Sequence, residues 1–365
     1  MRPQAMRAGA LDLADLRESI DTALAAFLCS PSSRVPAQRR RVGGGRDPDR
    51  TLASYVLAPG ERVGPLLCLL GWYAAGGGRD GKGEEAAVRL AASLELLHAF
   101  TLIHDDIADE NDGRRGAPGA HRTFAVRHRE RAAPDTSGRN PAVLLGDLAL
   151  VRCDEMLHSA GFTHRQYRVL LPLVDTLRNE VVLGQYLDAR TAGPPGADIA
   201  LASRVVRLRT ARYAVERPLR LGAVLAGAGA RTLEACSAYA LPLGEAFRLR
   251  DDLRGTFGDP AVTGQPVTED LRSGRATVLM ALAVRRASRS QARLLRRFVG
   301  DPGLDARGAA AVRRVLEETG ARETVEKMIT ARYEAALAAL ERAPFVPRAA
   351  DALRRVAAEA AARTA

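Results

Sequence analysis

Apolar positions along this chain recur mostly at spacings of three and four, which lines one face of an α-helix. Residues 11–28 (LDLADLRESIDTALAAFL) show the pattern, with acids early in the run, where a helix N-terminus favours them. No convincing period-two alternation marks a half-buried strand, and no short repeat recurs. Stretches rich in helix breakers interrupt the pattern at residues 30–50, 76–83, 113–141 and 255–274. The expectation is an N-terminal helix with a mobile Pro/Arg/Gly-rich arm over residues 1–50. An all-α domain of about ten helices follows over residues 51–365.

Composition narrows the function classes. Aromatic residues are only 4% of the 365, with one Trp, which disfavours both a base-stacking nucleic-acid binder and an all-β protein. The formal charge is +11, and only Lys82 and Lys327 are lysines, so 52 of the 54 basic residues are arginine. Those arginines are dispersed among Ala and Leu, apart from the run Arg39–Arg41, and no nucleic-acid partner is expected. Cys29, Cys68, Cys153 and Cys236 are far apart, which indicates neither a zinc site nor a disulfide framework. No apolar run reaches the ~18 residues of a membrane span, the longest being Val63 to Ala75. No signal-peptide pattern opens the chain, so a cytoplasmic location without an integral membrane segment is expected.

Two acidic patches carry the candidate chemistry. In LLHAFTLIHDDIADENDGRRG (residues 96–116), Asp105 and Asp109 are four apart and share a helix face, with Asp106 beside them. In FRLRDDLRGTFGD (residues 247–259), Asp251 and Asp252 close an apolar helix ahead of a glycine-rich loop. One such patch reads equally well as a solvated acidic helix end. Two of them, with Arg114 and Arg115 just after the first, point to a metal–diphosphate site. Mg²⁺ takes carboxylate and phosphate oxygens, and Arg grips phosphate with a bidentate fork.

These residues resemble the trans-isoprenyl diphosphate synthases, the polyprenyl synthetase family, over about Tyr55 to Thr277. Glu95, His98 and HDDIADENDGRRGAPGAH (His104 to His121) resemble the first aspartate-rich region, and LLGDLAL (144–150) the GD step after it. LGQYLD, with Gly184, Gln185 and Asp188, resembles the GQxxD helix. RTARYAVERPLRLGAVLAG (209–227) resembles the KTAxY segment, with Arg209 in the lysine position and Thr210 beside it. GEAFRLRDDLRGTFGD resembles the second aspartate-rich region.

The resemblance implies an all-α antiparallel helix bundle around a deep apolar cavity, the isoprenoid synthase type I fold, assembled as a homodimer. It implies Mg²⁺, three ions with substrate bound, held by Asp105, Asp106 and Asp109 on one wall and by Asp251 and Asp252 on the other. It further implies an allylic diphosphate with Arg114 and Arg209 on its oxygens, and isopentenyl diphosphate as second substrate. Arg115, Thr210, Gln185 and Arg248 are further candidate substrate contacts, Arg248 as a replacement for cations the family has elsewhere. Loss of pyrophosphate yields a carbocation that the isopentenyl double bond attacks. Phe100 and Thr101 occupy the positions that govern product length in the family. Phe100 either caps the growing tail, favouring C15 to C20 products, or packs as an ordinary core residue.

The pattern departs from the family in one half-site. Where members carry GGKRxRP, whose cations hold isopentenyl diphosphate, this chain reads PGERVGP. Glu61 replaces the lysine and Gly64 an arginine, leaving Arg62 and His98 as the expected contacts. At an effective dielectric near 20, each close unit-charge pair is worth roughly 4 kcal/mol, so a Lys-to-Glu exchange is a large swing. Gln265 also replaces a loop lysine, Arg248 the Gln of the family's FQ pair, and Gly255 a third Asp. Three functions compete: a short-chain prenyl elongase, a class I terpene synthase that ionises a preformed allylic diphosphate, and a non-catalytic partner subunit.

Overall fold

A computed structural model describes residues 10–29, 48–78, 83–108, 113–114, 117–118, 139–191, 193–258 and 268–362. The fold is all-α. Fifteen α-helices and one π-helical segment are described, where about ten helices were expected. The coarse reading merged neighbours that local capping separates. Ser288 closes a capping box with Gln291, and Asp305 accepts from the Gly308 N–H at 2.7 Å. Residues 113–114 and 117–118 pair as two-residue antiparallel strands, too short to leave an alternation pattern. The chain divides into two compact units.

The first unit comprises residues 1–170, 218–228 and 345–352. Its described helices include α1 (Leu13–Cys29), α2 (Pro48–Val56), α3 (Val63–Ala74), α4 (Glu84–Ala108) and α5 (Arg139–His158). Helix α4 is the centre of the unit, packing against α1, α3 and α5. Glu84 and Glu85 favour its N-terminus, and Leu90, Leu96 and Leu97 are fully buried along it. Because its buried positions encircle it, α4 is long and apolar enough by length and composition to cross a membrane. This corrects the expectation that no segment reaches that length. Interspersed polar residues break the apolar run without lowering its average much, and 67% of the apolar stretch is buried inside the protein, as in a core helix.

Helix α3 meets α8 (Arg217–Leu225) backbone to backbone. A Cβ on Gly222 would lie 1.8 Å from the Cys68 carbonyl oxygen, and one on Gly71 would lie 2.0 Å from that of Leu219. Only glycine at both positions allows this crossing.

The second unit comprises residues 171–217, 229–344 and 353–365. Helix α6 (His164–Thr191) carries the chain into it, followed by α7 (Ile199–Val206) and the π-helical segment Arg207–Glu216. Helix α9 (Ala230–Phe257) packs against the π-helical segment and against α14 (Ala321–Arg342). The short α10 (Glu269–Ser273) precedes α11 (Val278–Arg286), α12 (Arg289–Phe298) and α13 (Ala306–Glu318), with α15 (Pro347–Ala362) last. Leu249, Leu253, Leu279, Leu295, Val312 and Val325 share one core. Helix α9 passes through Gly255 to Phe257, so the loop expected from residue 255 begins later.

Candidate functional site

In the first unit, Asp105 and Asp106 lie in the last turn of α4. Asp106 is 1% exposed and its Oδ2 accepts from the Tyr55 hydroxyl of α2 at 3.5 Å. The preceding His104 is held on three sides. Its Nδ1–H donates to the Phe100 carbonyl at 2.9 Å, Nε2 lies 3.5 Å from Asp147 Oδ1, and the Phe100 ring tilts against it at 4.7 Å between centroids. A Cβ on Gly146 would lie 2.3 Å from His104 Cε1. The Gly-Asp step of α5 therefore makes room for the imidazole and supplies its acidic neighbour. Half-buried Phe100 has this ring contact within its own helix, and half-buried His98 accepts from Thr101 Oγ1 at 2.8 Å through its carbonyl.

Arg62 is only 4% exposed and bonded inside the protein. Nε donates to Asp21 Oδ1 at 2.8 Å and Nη1 to Glu95 Oε1 at 2.6 Å, while Nη2 donates to the carbonyls of Val56 and Ala58 at 2.9 and 3.1 Å. Burial disfavours the charge, but Glu95 and Asp21 outweigh it and hold the guanidinium above its usual pKa. The backbone at Arg62 is left-handed, with φ 52°, a conformation that costs a non-glycine residue roughly 1 kcal/mol. These bonds hold it there at the start of α3. Arg62, expected as an isopentenyl diphosphate contact, directs its donors to Asp21, Glu95 and two carbonyls. Glu61 beside it is exposed.

In the second unit, Asp251 and Asp252 lie near the C-terminal end of α9. Asp252 is 4% exposed, and Arg248, one turn earlier, places Nε 2.9 Å from its Oδ1. Arg209 and buried Thr210 sit in the π-helical segment, a rare geometry that concentrates at functional sites. Arg209 Nη1 pairs with Asp188 of α6, and its stem crosses Gly184, where a Cβ would lie 2.8 Å from Arg209 Cγ. Gln185 is half-buried on the same helix.

Glu180, one turn before Gly184, anchors the π-helical segment. Its Oε1 accepts from Arg212 Nη1 at 2.5 Å and Arg217 Nη2 at 2.8 Å, and its Oε2 from Arg217 Nε at 2.8 Å. Burial alone pushes the Glu180 carboxyl upward, but the two guanidiniums prevail and hold it below the usual range. The bond to Glu180 correspondingly raises Arg217, against burial. Sequence reading passed over Glu180, Asp21 and Tyr55. A lone acid inside an apolar helical stretch was the available signal for Glu180.

Asp109 and Arg115 lie outside the described residues, and Arg114 is described only by its backbone in the first short strand. Among the described residues no group of three or more His, Cys, Asp or Glu side chains is gathered as a metal cage. The donors present are paired carboxylates at the C-terminal ends of helices. Such hard oxygen donors at the negative ends of helix dipoles fit Mg²⁺, which commonly uses one or two carboxylates and completes its shell with water and phosphate oxygens.

An all-α fold with an aspartate pair near the end of the central helix of each unit defines an isoprenoid-synthase-type protein. The polyprenyl synthetase family pattern matches residues 49–317, and the chain belongs to that family. It is 34% identical to the geranylfarnesyl diphosphate synthase of Aeropyrum pernix over 67% of this chain and 73% of the relative. It is 29% identical to the geranyl-diphosphate-specific all-trans-nonaprenyl-diphosphate synthase of Rhodobacter capsulatus, over 79% and 81% of the two chains. The crystal structure of geranylgeranyl pyrophosphate synthase from Corynebacterium glutamicum, complexed with isoprenyl diphosphate and magnesium, superposes with a TM-score of 0.89. That match has 35% identity and covers 96% of this chain and 99% of that one. The class is thus trans-prenyltransferase, while the named products of these relatives differ in prenyl length.

Proposed function

We propose that this protein is a Mg²⁺-dependent prenyltransferase that condenses isopentenyl diphosphate with an allylic diphosphate to a C15–C20 all-trans prenyl diphosphate, geranylgeranyl diphosphate foremost. The observation that carries this reading is the survival of both aspartate pairs near helix ends, Asp105 with Asp106 and Asp251 with Asp252. In it the two pairs, with Asp109, hold Mg²⁺. When bound, the ions supply positive charge to the departing diphosphate. Arg209, Thr210, Gln185, Arg114 and Arg115 bind and orient the diphosphate oxygens, with Asp188 setting the direction of Arg209. Phe100, one turn before His104, limits the tail. In this reading an apolar cavity keeps water from the carbocation.

A homodimer in the cytoplasm belongs to the same proposal. Leu144 and Val151, a heptad apart on α5, are 67% and 59% exposed, which supports a partner against that face.

One observation favours a second reading, a class I terpene synthase that ionises a preformed allylic diphosphate without isopentenyl diphosphate. In PGERVGP the charged side chains are Glu61 and Arg62, and Arg62 is committed to Asp21 and Glu95. The deciding experiment supplies dimethylallyl, geranyl and farnesyl diphosphates with Mg²⁺, each with and without isopentenyl diphosphate, and analyses extracts before and after phosphatase. A longer prenyl alcohol that needs both isopentenyl diphosphate and phosphatase establishes elongation. A hydrocarbon or cyclic alcohol formed without either establishes the terpene synthase.

A further inference from the structure

The second aspartate pair contains a cation of the protein's own. Asp252 is nearly inaccessible, and an ionised carboxylate in such a place needs a partner. Arg248 provides one: its Nε is 2.9 Å from Asp252 Oδ1, on the same face of α9, with its side chain 20% exposed. The guanidinium thus occupies an oxygen that the proposed reaction assigns to Mg²⁺. A divalent ion and a guanidinium repel each other, and one carboxylate oxygen cannot serve both at full strength.

We propose that Arg248 is an exchangeable counter-ion that holds Asp252 in the metal-free protein, yields it to the divalent ion, and turns to the diphosphate which that ion carries. The inference rests on the metal–diphosphate reading above and adds a role for this chain's own residue. Arg248 is suited to both states. Its stem is long enough to swing within one helical turn, and its planar fork matches carboxylate and phosphate oxygens alike. Metal binding then proceeds against a resident cation, so the free protein holds the ion weakly and the ion–diphosphate pair well. Specificity would arise from this contrast, because a bare ion must displace Arg248 without giving it a new partner.

The test compares the full-length wild type with Arg248→Gln and Arg248→Lys, using calorimetry and Mn²⁺ spin resonance. Two constants are read: Mn²⁺ affinity alone, and affinity for inorganic pyrophosphate at saturating Mn²⁺. Arg248→Gln is expected to bind Mn²⁺ about tenfold more tightly and pyrophosphate about tenfold more weakly. Arg248→Lys, which keeps the charge, should fall between. Opposite movements distinguish an exchangeable cation from a packing residue, whose loss would weaken both. Unchanged or weaker Mn²⁺ binding in Arg248→Gln overturns the inference. If Arg248→Gln fails to fold, the Lys variant decides, and Mn²⁺ binding no tighter than wild type overturns the inference. A wild type that binds no pyrophosphate even with Mn²⁺ overturns the metal–diphosphate reading itself, and this inference with it.

Discussion

Arg62 Nη1 donates to Glu95 Oε1 at 2.6 Å, and both side chains are buried, at 3% and 7% exposure. The pair joins the start of α3 to the middle of α4, and Asp21 Oδ1, at 2.8 Å from Arg62 Nε, adds α1. Three helices of the first unit are thereby locked together at one guanidinium.

Removing that guanidinium strands Glu95 in the interior. Arg62→Ala should cost about 3–5 kcal/mol, the range for breaking a buried ion pair from one side. Denaturant unfolding measures it. A variant of nearly wild-type stability with a changed KM for isopentenyl diphosphate would restore Arg62 to the substrate.

Glu61 is exposed, and Gly64, three residues on, is half-buried. The double variant Glu61→Lys with Gly64→Arg installs two cations in the segment that holds isopentenyl diphosphate in the family. Its KM for isopentenyl diphosphate should fall at least tenfold, since each close unit-charge pair is worth roughly 4 kcal/mol before solvent screening. A KM that does not move would show that this segment does not face the substrate.

Asp105→Ala and Asp251→Ala each remove a proposed metal ligand from one pair. Either should raise the barrier by about 4 kcal/mol, close to a thousandfold in turnover. Steady-state assays at saturating Mg²⁺ check this, and wild-type turnover in both would refute the two-pair mechanism.

The carboxyl of Glu180 titrates below its ordinary value because Arg217 and Arg212 hold its charged form. A lowered folded-state pKa contributes stability that is complete above the unfolded value, about 4.3, and lost as pH falls through the folded one. Glu180→Gln lacks this contribution. The stability gap between wild type and variant should be widest near neutral pH and close as the solution is acidified below about 4. Melting temperatures at a series of pH values would reveal it, and a constant gap would rule out the ionic origin.

Gly222→Ala places a methyl group 1.8 Å from the Cys68 carbonyl oxygen, which is backbone and cannot turn aside. The α3–α8 crossing must open, at a cost of about 3 kcal/mol or more. Urea unfolding with a loss below about 1 kcal/mol would mean that the helices separate easily.

Much of the architecture was legible in the chain itself. Spacings of three and four announced an all-α protein, and helix α1 (Leu13–Cys29) matches the span read over 11–28 within one or two residues. The pairs Asp105–Asp106 and Asp251–Asp252 do lie near helix ends, because helix geometry depends on residues one turn apart and such neighbours are adjacent in sequence. The pairing of Arg248 with Asp252, four residues apart, was equally within reach of the sequence.

What the sequence could not decide was the direction in which charged side chains turn. Arg62 was expected to point to a substrate and points to Glu95 and Asp21, 33 and 41 residues away. Arg209 meets Asp188 across 21 residues, and Arg217 meets Glu180 across 37. The π-helical register of Arg207–Glu216 had no period of its own to betray it, since a single segment with apolar spacings of three and four fits either winding. The sequence by itself determined which segments coil and where the carboxylates stand on them, through short-range geometry. Only the tertiary structure decided which charges are buried and with whom, because desolvation and pairing depend on neighbours that the chain brings together from far apart.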